Sequence, residues 1–167
     1  MPPLLAVNKQ LMSTFLLLTL IVVSSTYGCK DTRPPTVNPI QELSIDRFDQ
    51  LITQNDFQGI VVVFATWCPP CREELPELID VYEEYKDKDI KIIALSVDDG
   101  NAKKVQFLVD DMRLPYPVYH VGTDAVQKYK IIGIPTLLVV QNGRIIKKMA
   151  GQQTSRALKN RIEALIK

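Results

Sequence analysis

The chain has 167 residues, of which 46% are hydrophobic and 23% charged, and its 20 basic and 19 acidic residues nearly cancel. This composition predicts one soluble domain with an additional segment, and it excludes the strongly basic surface of a nucleic-acid-binding protein. Only three cysteines are present, which excludes a small domain held together by several disulfides.

The N-terminal segment is apolar and almost free of charge. Residues 11–23 carry no charged side chain, and Lys9 is the only charged residue in the first 28 positions. A short apolar stretch that follows a basic residue and precedes small residues is typical of a secretory signal. We therefore interpret residues 1–28 as a signal peptide or a membrane anchor, and we expect the remaining chain to lie outside the cytoplasm.

The end of this segment, Gly28 followed by Cys29, resembles a bacterial lipoprotein signal, in which cleavage leaves the cysteine as the lipidated N-terminus. Such signals usually have Leu three residues before the cysteine, where this chain has Thr26. The alternative is an uncleaved anchor, since residues 11–28 approach the roughly 17–25 residues that a spanning helix needs. Residues 29–39 are polar and rich in proline, which predicts a flexible tether between membrane and domain.

The first elements of the domain alternate between strand and helix. Residues 40–43 predict a short strand, and Ser44 is a suitable N-cap for a following helix. Residues 60–65 form a continuous run of apolar and mostly β-branched side chains, which predicts a central strand buried on both faces. Residues 69–86 have apolar side chains at helical spacing and acidic ones between them, which predicts a helix.

Six further segments predict the rest of the domain. In chain order they are a buried strand (90–97), a helix (101–112), a short strand (116–121), a short helix (124–130), a hairpin around an Asn-Gly turn (135–151) and an amphipathic helix (154–167). Strands that alternate with helices favour a parallel sheet, and the hairpin adds an antiparallel pair at its edge. The sequence therefore predicts an α/β fold.

Two of the three cysteines, Cys68 and Cys71, lie where the first buried strand gives way to a helix. At that position the helix dipole and the free N–H groups of the first turn favour a thiolate on Cys68. A thiolate is the attacking species in thiol–disulfide exchange. We therefore expect Cys68 to attack a substrate disulfide, and Cys71, one turn later and more buried, to resolve the mixed disulfide.

Two longer motifs, "VVVFATWCPPC" and "GIPTLLVVQNGRIIKKMAG", together with the strand order, resemble the thioredoxin superfamily over residues 40–167. The export signal, an insert near residues 99–122 and the motif "CREELP" resemble the membrane-anchored extracytoplasmic reductases of the TlpA/ResA type. The resemblance implies a central mixed β-sheet flanked by helices, with an N-terminal β-α extension. It also implies net reduction of disulfides in protein substrates, with electrons from a membrane partner, no cofactor or metal, and apocytochrome c as one candidate target.

The same resemblance assigns roles to residues around the cysteine pair. Pro135 matches the cis-proline that faces the pair in thioredoxins, and Ile134 would present its backbone to a bound substrate strand. Trp67 would form the apolar rim around the sulfur. Glu74 lies in a C-x-x-C-x-x-E position and would assist proton movement, because Val62 replaces the buried aspartate of thioredoxin.

Three alternatives to this interpretation remain. A structural zinc site usually takes four ligands, whereas this chain has one cysteine pair and a single histidine, His120, which we interpret as structural or exposed. Thiol peroxidases share the fold, but they place a threonine three residues before the reactive cysteine, and here Thr66 lies two residues before it. A non-catalytic binding module would leave both cysteines idle. We interpret Thr66 and Arg72 as flanking surface residues.

Overall fold

The computed structural model describes residues 38–100 and 102–167, and the predicted signal segment, Cys29 and most of the predicted tether lie outside them. The described residues form six strands and five helices. The strands are β1 (Gln41–Glu42), β2 (Gly59–Phe64), β3 (Lys91–Ser96), β4 (Val118–His120), β5 (Thr136–Gln141) and β6 (Arg144–Ala150). The helices are α1 (Ile45–Ile52), α2 (Pro69–Tyr85), α3 (Lys103–Met112), α4 (Asp124–Lys128) and α5 (Ser155–Ile166).

The six strands form one mixed sheet in the order β1-β4-β3-β2-β5-β6. Strands β1, β4, β3 and β2 are parallel to one another, whereas β5 is antiparallel to β2 and β6 is antiparallel to β5. The predicted α/β fold, with a parallel part and an antiparallel edge pair, is confirmed. The N-terminal β-α extension is β1 with α1, and the predicted insert contains α3 and β4.

The central strand β2 lies between β3 and β5, and all six of its residues are buried. Its β-branched side chains suit this place because they pack on both faces of a covered sheet. The segment from residue 65 to residue 68 leaves the carboxyl end of β2 and leads directly into α2. This connection therefore places the cysteine pair at the edge where the parallel strands of an α/β sheet end, which is the usual place for a binding site.

Helix α2 begins with Pro69 and Pro70, whose missing N–H groups are harmless in a first helical turn. The helix continues through Pro76 to Tyr85. The hydroxyl of Tyr116, from the chain just before β4, donates a hydrogen bond of 2.8 Å to the carbonyl oxygen of Leu75. Tyr116 is fully buried, so this bond joins the insert to the helix that carries the redox pair.

Some boundaries differ from those expected. Strand β1 has two residues rather than four, because only Gln41 and Glu42 pair with β4. The side-chain amide of Asn38, a residue of the predicted tether, donates hydrogen bonds to the carbonyl oxygens of Leu114 and Tyr116 at 3.0 and 2.5 Å. The contacts of the domain therefore begin before residue 40. None of the helices in the described part of the chain is long and apolar enough to cross a membrane.

Candidate redox site

Cys68 and Cys71 form a disulfide at the N-terminus of α2, with their Cα atoms 5.3 Å apart. Cys68 is the N-cap of the helix, and its Sγ accepts a hydrogen bond of 3.3 Å from the backbone N–H of Cys71. Because Pro69 and Pro70 have no N–H, this is the first N–H that the helix offers. Both residues are buried, with Cys71 fully buried and Cys68 3% exposed, so Cys68 is the slightly more exposed residue of the pair.

Glu74 lies on the buried face of α2, one turn beyond Cys71, and its side chain is fully buried. Among the described residues, neither of its carboxyl oxygens has a hydrogen-bond partner. Burial raises the pKa of Glu74 from 4.5 to about 7. The backbone of Gln153 offsets part of this shift in pKa, although its N–H does not complete a hydrogen bond of normal geometry. Glu74 is therefore unlike its exposed neighbour Glu73.

The phenol of Tyr116 lies close enough to Glu74 for the charge of the carboxylate to oppose ionisation of the tyrosine. The pKa of Tyr116 is raised well above its ordinary value, mainly by burial and further by the charge of Glu74. The tyrosine therefore stays neutral, and its hydroxyl remains the hydrogen-bond donor to the carbonyl oxygen of Leu75. Val62, buried in β2, occupies the position of the thioredoxin aspartate, so that position provides no carboxyl group. Glu74 is the one acidic residue on the buried face of α2.

Two of the three residues expected to bind substrate lie around an apolar groove of about 260 Å³, and Pro135 follows them in the chain without lining it. Trp67 and Ile134 both line it, together with Ile132 and Gly133. Trp67 is 69% exposed, which places its indole at the surface beside Cys68. The peptide bond between Ile134 and Pro135 is cis, as the resemblance implied.

A polar cluster beside the pair was not predicted. Asp98, which follows β3, is buried, and its carboxylate accepts hydrogen bonds from the Thr66 backbone N–H at 2.9 Å and from the Thr66 hydroxyl at 2.6 Å. Ser96 donates to the same carboxylate at 2.8 Å. Thr66, interpreted from the sequence as a flanking surface residue, is half-buried, and its side chain also anchors the chain that leads to Cys68.

His120 continues this cluster away from the pair. Its Nδ1 lies 3.3 Å from the hydroxyl oxygen of Ser96, and its Nε2 lies 3.0 Å from the carbonyl oxygen of Gly100. The ring is buried, which confirms the structural interpretation of this histidine. Within residues 38–100 and 102–167, no group of three or more His, Cys, Asp or Glu side chains is arranged to hold a metal ion.

The sequence contained one indication that Asp98 lies near the site. It belongs to "SVDD", a polar sequence that directly follows a buried strand. Polar residues at the carboxyl ends of neighbouring parallel strands meet at one edge of the sheet. Because β2 and β3 are parallel neighbours, Thr66 after β2 and Asp98 after β3 lie side by side.

Known proteins are similar to this chain in sequence and in fold. The AhpC/TSA family profile matches residues 38–149. A thiol-disulfide oxidoreductase ResA from Bacillus thuringiensis subsp. konkukian is 30% identical over 119 residues, which cover 68% of each chain. The sporulation thiol-disulfide oxidoreductase A of Bacillus subtilis is 27% identical over 160 residues, which cover 91% of this chain and 96% of that protein.

The crystal structure of StoA from Bacillus subtilis is similar in three dimensions. It superposes with a TM-score of 0.59 and 25% identity, over 66% of this chain and 85% of StoA. The fold, the disulfide at the start of α2 and these similarities agree with one another. The chain therefore belongs to the AhpC/TSA family of the thioredoxin superfamily, and it is a thiol–disulfide oxidoreductase of the ResA/StoA type.

Proposed function

We propose that this protein reduces disulfides of protein substrates outside the cytoplasm, with Cys68 as the nucleophile and Cys71 as the resolving thiol. The observation that carries this proposal is the position of Cys68 as the N-cap of α2, where its sulfur accepts a hydrogen bond from the backbone N–H of Cys71. In the reduced protein the same N–H and the helix dipole stabilise a Cys68 thiolate.

The reaction proceeds in two exchange steps. The Cys68 thiolate attacks one sulfur of a substrate disulfide, which forms a mixed disulfide and releases the other substrate sulfur as a thiolate. The Cys71 thiolate then attacks the Cys68 sulfur, which closes the Cys68–Cys71 disulfide and releases the second substrate thiol. Two electrons pass from the protein to the substrate, and the disulfide seen here is the oxidised product.

The second step requires Cys71 to lose its proton inside the protein, because its side chain is fully buried. Glu74 lies one helical turn away on the same face, and its pKa of about 7 makes both of its protonation states available near neutral pH. A carboxyl group with such a pKa is suited to accept and return a proton. We assign this proton relay to Glu74, while Trp67, Ile134 and Pro135 bind the substrate chain.

Trapping of the mixed disulfide tests the order of attack. Replacing Cys71→Ser removes the resolving thiol, so we expect covalent adducts between Cys68 and substrate proteins to accumulate on non-reducing gels. The matched control is Cys68→Ser, which retains one thiol at the site but should form few adducts, because the remaining Cys71 is fully buried. Equal adduct formation by the two variants would contradict the assigned roles.

The proposed location rests on the N-terminal sequence and on the resemblance to exported reductases. Residues 1–28 would export the chain, Cys29 would carry a lipid, and residues 29–39 would tether the domain 40–167 to the membrane. A membrane partner would return electrons to Cys68–Cys71, and the cysteines of apocytochrome c are the first target to test. Mass spectrometry of the mature N-terminus should show an acylated Cys29, whereas an intact Met1 would indicate a spanning anchor instead.

A further inference from the structure

A second groove, distinct from the apolar groove, shares Trp67 with it and lies between α2 and α3. Its volume is about 740 Å³. Trp67 and Arg72, the neighbours in sequence of Cys68 and Cys71, form one side, and Lys103, Lys104 and Phe107 of α3 contribute to its lining. We call this the α2–α3 groove. A chain bound in it would contact the two residues that precede Cys68 and follow Cys71 in the sequence.

The charges in the α2–α3 groove are mainly positive at its surface. Arg72 and Lys104 are exposed, and neither forms an ion pair or a hydrogen bond with another side chain of the described residues. Of the two acidic residues in the lining, Asp98 is buried and its carboxylate is occupied by Thr66 and Ser96. Only Asp99 therefore offers an exposed negative charge against these cations.

Two lysines of the groove lie at the N-terminus of α3, where their positive charge does not stabilise the helix. Lys103 and Lys104 occupy the first turn of α3, which contains no acidic residue, and the N-cap residue Ala102 provides no side-chain hydrogen bond. Positive charge near a helix N-terminus is unfavourable. A local choice that opposes the stability of its own helix is typical of a functional surface.

Two aromatic side chains in the lining of the same groove are exposed to solvent. Trp67 is 69% exposed and Phe107 is 72% exposed. Exposed aromatic rings are frequent anchors in protein interfaces, because they bury a large apolar area with little loss of side-chain freedom. The combination of Arg72 and Lys104 with two exposed aromatic rings suits an extended segment that carries carboxylates and apolar side chains.

We propose that the α2–α3 groove binds an acidic segment of the protein substrate, next to the disulfide that Cys68 attacks. This inference rests on the proposed function and adds to it the charge of the preferred substrate. Complementary charge accelerates the encounter of two proteins and selects among partners. Trp67 then contacts the substrate on both sides, through the α2–α3 groove and through the apolar groove.

The test uses the full chain, reduced, and two synthetic peptides with the same disulfide loop. One peptide has Asp-Phe-Asp beside the loop and the other has Lys-Phe-Lys. The second-order rate constant for oxidation of Cys68–Cys71 is measured by alkylation of the remaining thiols and mass spectrometry. At low salt we expect the acidic peptide to react about tenfold faster than the basic one, and this ratio to fall towards one as salt screens the charges.

The variant Lys104→Glu should lower the ratio of the two rate constants at least about threefold, since one cation of the groove becomes an anion. The control Lys91→Glu makes the same change of charge at the exposed start of β3, the opposite end of that strand, and should leave the ratio unchanged. If both peptides oxidise the pair at equal rates, the inference is overturned and the proposed function stands. If neither peptide oxidises it, the proposed function fails and the inference fails with it.

Discussion

Glu74 is the residue of the site whose surroundings change its ionisation most clearly. Its two carboxyl oxygens are buried without hydrogen-bond partners among the described residues, although α2 has exposed positions close by. A carboxyl group in such a place favours the neutral form, which is why its pKa is raised to about 7. The protein therefore maintains a destabilising arrangement next to Cys71, as is common for groups that transfer protons.

This arrangement makes stability depend on pH. The folded chain binds the Glu74 proton more tightly than the unfolded chain does, because burial raises the pKa from 4.5 to about 7. The free energy of unfolding of the oxidised protein should therefore decrease as pH rises through this interval, by up to about 3 kcal/mol. In Glu74→Gln this component should be absent, as urea unfolding at a series of pH values between 4 and 8 would show.

The matched control is Glu73→Gln, which removes an exposed carboxyl group from the preceding position of the same helix. It should retain the pH dependence of the unmodified chain. The reduced forms of the same proteins test the proton relay, because the rate of disulfide exchange should lose an ionisation near pH 7 only in Glu74→Gln. An unchanged pH profile in that variant would show that Glu74 is a buried acid without a role in exchange.

The sequence allowed some of these residues to be identified but not others. Cys71 and Glu74 belong to one helix, which Cys68 caps, so the shared face of Cys71 and Glu74 follows from helical spacing alone. The burial of Glu74 depends on what covers that face, and helical spacing contains no information about it. Asp98 was missed for a related reason, since its contact with Thr66 joins positions 32 residues apart.

At the scale of elements, the strands with continuous apolar runs were the most predictable. Strands β2 and β3 are within one residue of the expected boundaries, because a buried parallel strand requires such a run. Strand β1 is shorter than expected. Its length is set by pairing with the three-residue strand β4, and its own sequence contains no information about that pairing. Ile166, the last residue of the amphipathic helix α5, is 51% exposed.

The contact between β2 and β3 depends on a glycine. A Cβ atom at Gly59 would lie 1.8 Å from the carbonyl oxygen of Lys91, its partner in β3. Backbone atoms of a central sheet cannot withdraw from such a clash, so we expect Gly59→Ala to destabilise the domain by about 3 kcal/mol or more. Thermal and urea unfolding of the variant would measure the loss.

Gly133→Ala is the matched control for this substitution, since a Cβ atom there would meet no atom within 4 Å. Its free energy of unfolding should change by less than about 1 kcal/mol. A similar, small effect of both substitutions would mean that β2 and β3 can separate without loss of the fold. The register that brings Thr66 next to Asp98 would then be less firmly fixed than the structure indicates.

For the whole molecule, the fold provides a six-stranded sheet that presents the cysteine pair at its edge, with two different grooves beside it. The apolar groove contains Ile132 and Ile134, and the α2–α3 groove contains Arg72 and Lys104. Both grooves are lined by Trp67, which is next to Cys68. The fold was predictable from the motifs around residues 60–71 and 133–151, and so were Trp67 and Ile134 of the apolar groove. The α2–α3 groove depends on residues of the distant insert and could not be predicted.

The direction of electron flow is the central claim at this scale. A reductant has a low reduction potential, near that of thioredoxin at about −270 mV, whereas a strong oxidant such as DsbA lies near about −120 mV. The potential of Cys68–Cys71 should be measured by equilibration of the protein with defined thiol buffers. We expect a value near or below about −250 mV, and a value near about −120 mV would contradict the account by making this protein a donor of disulfides.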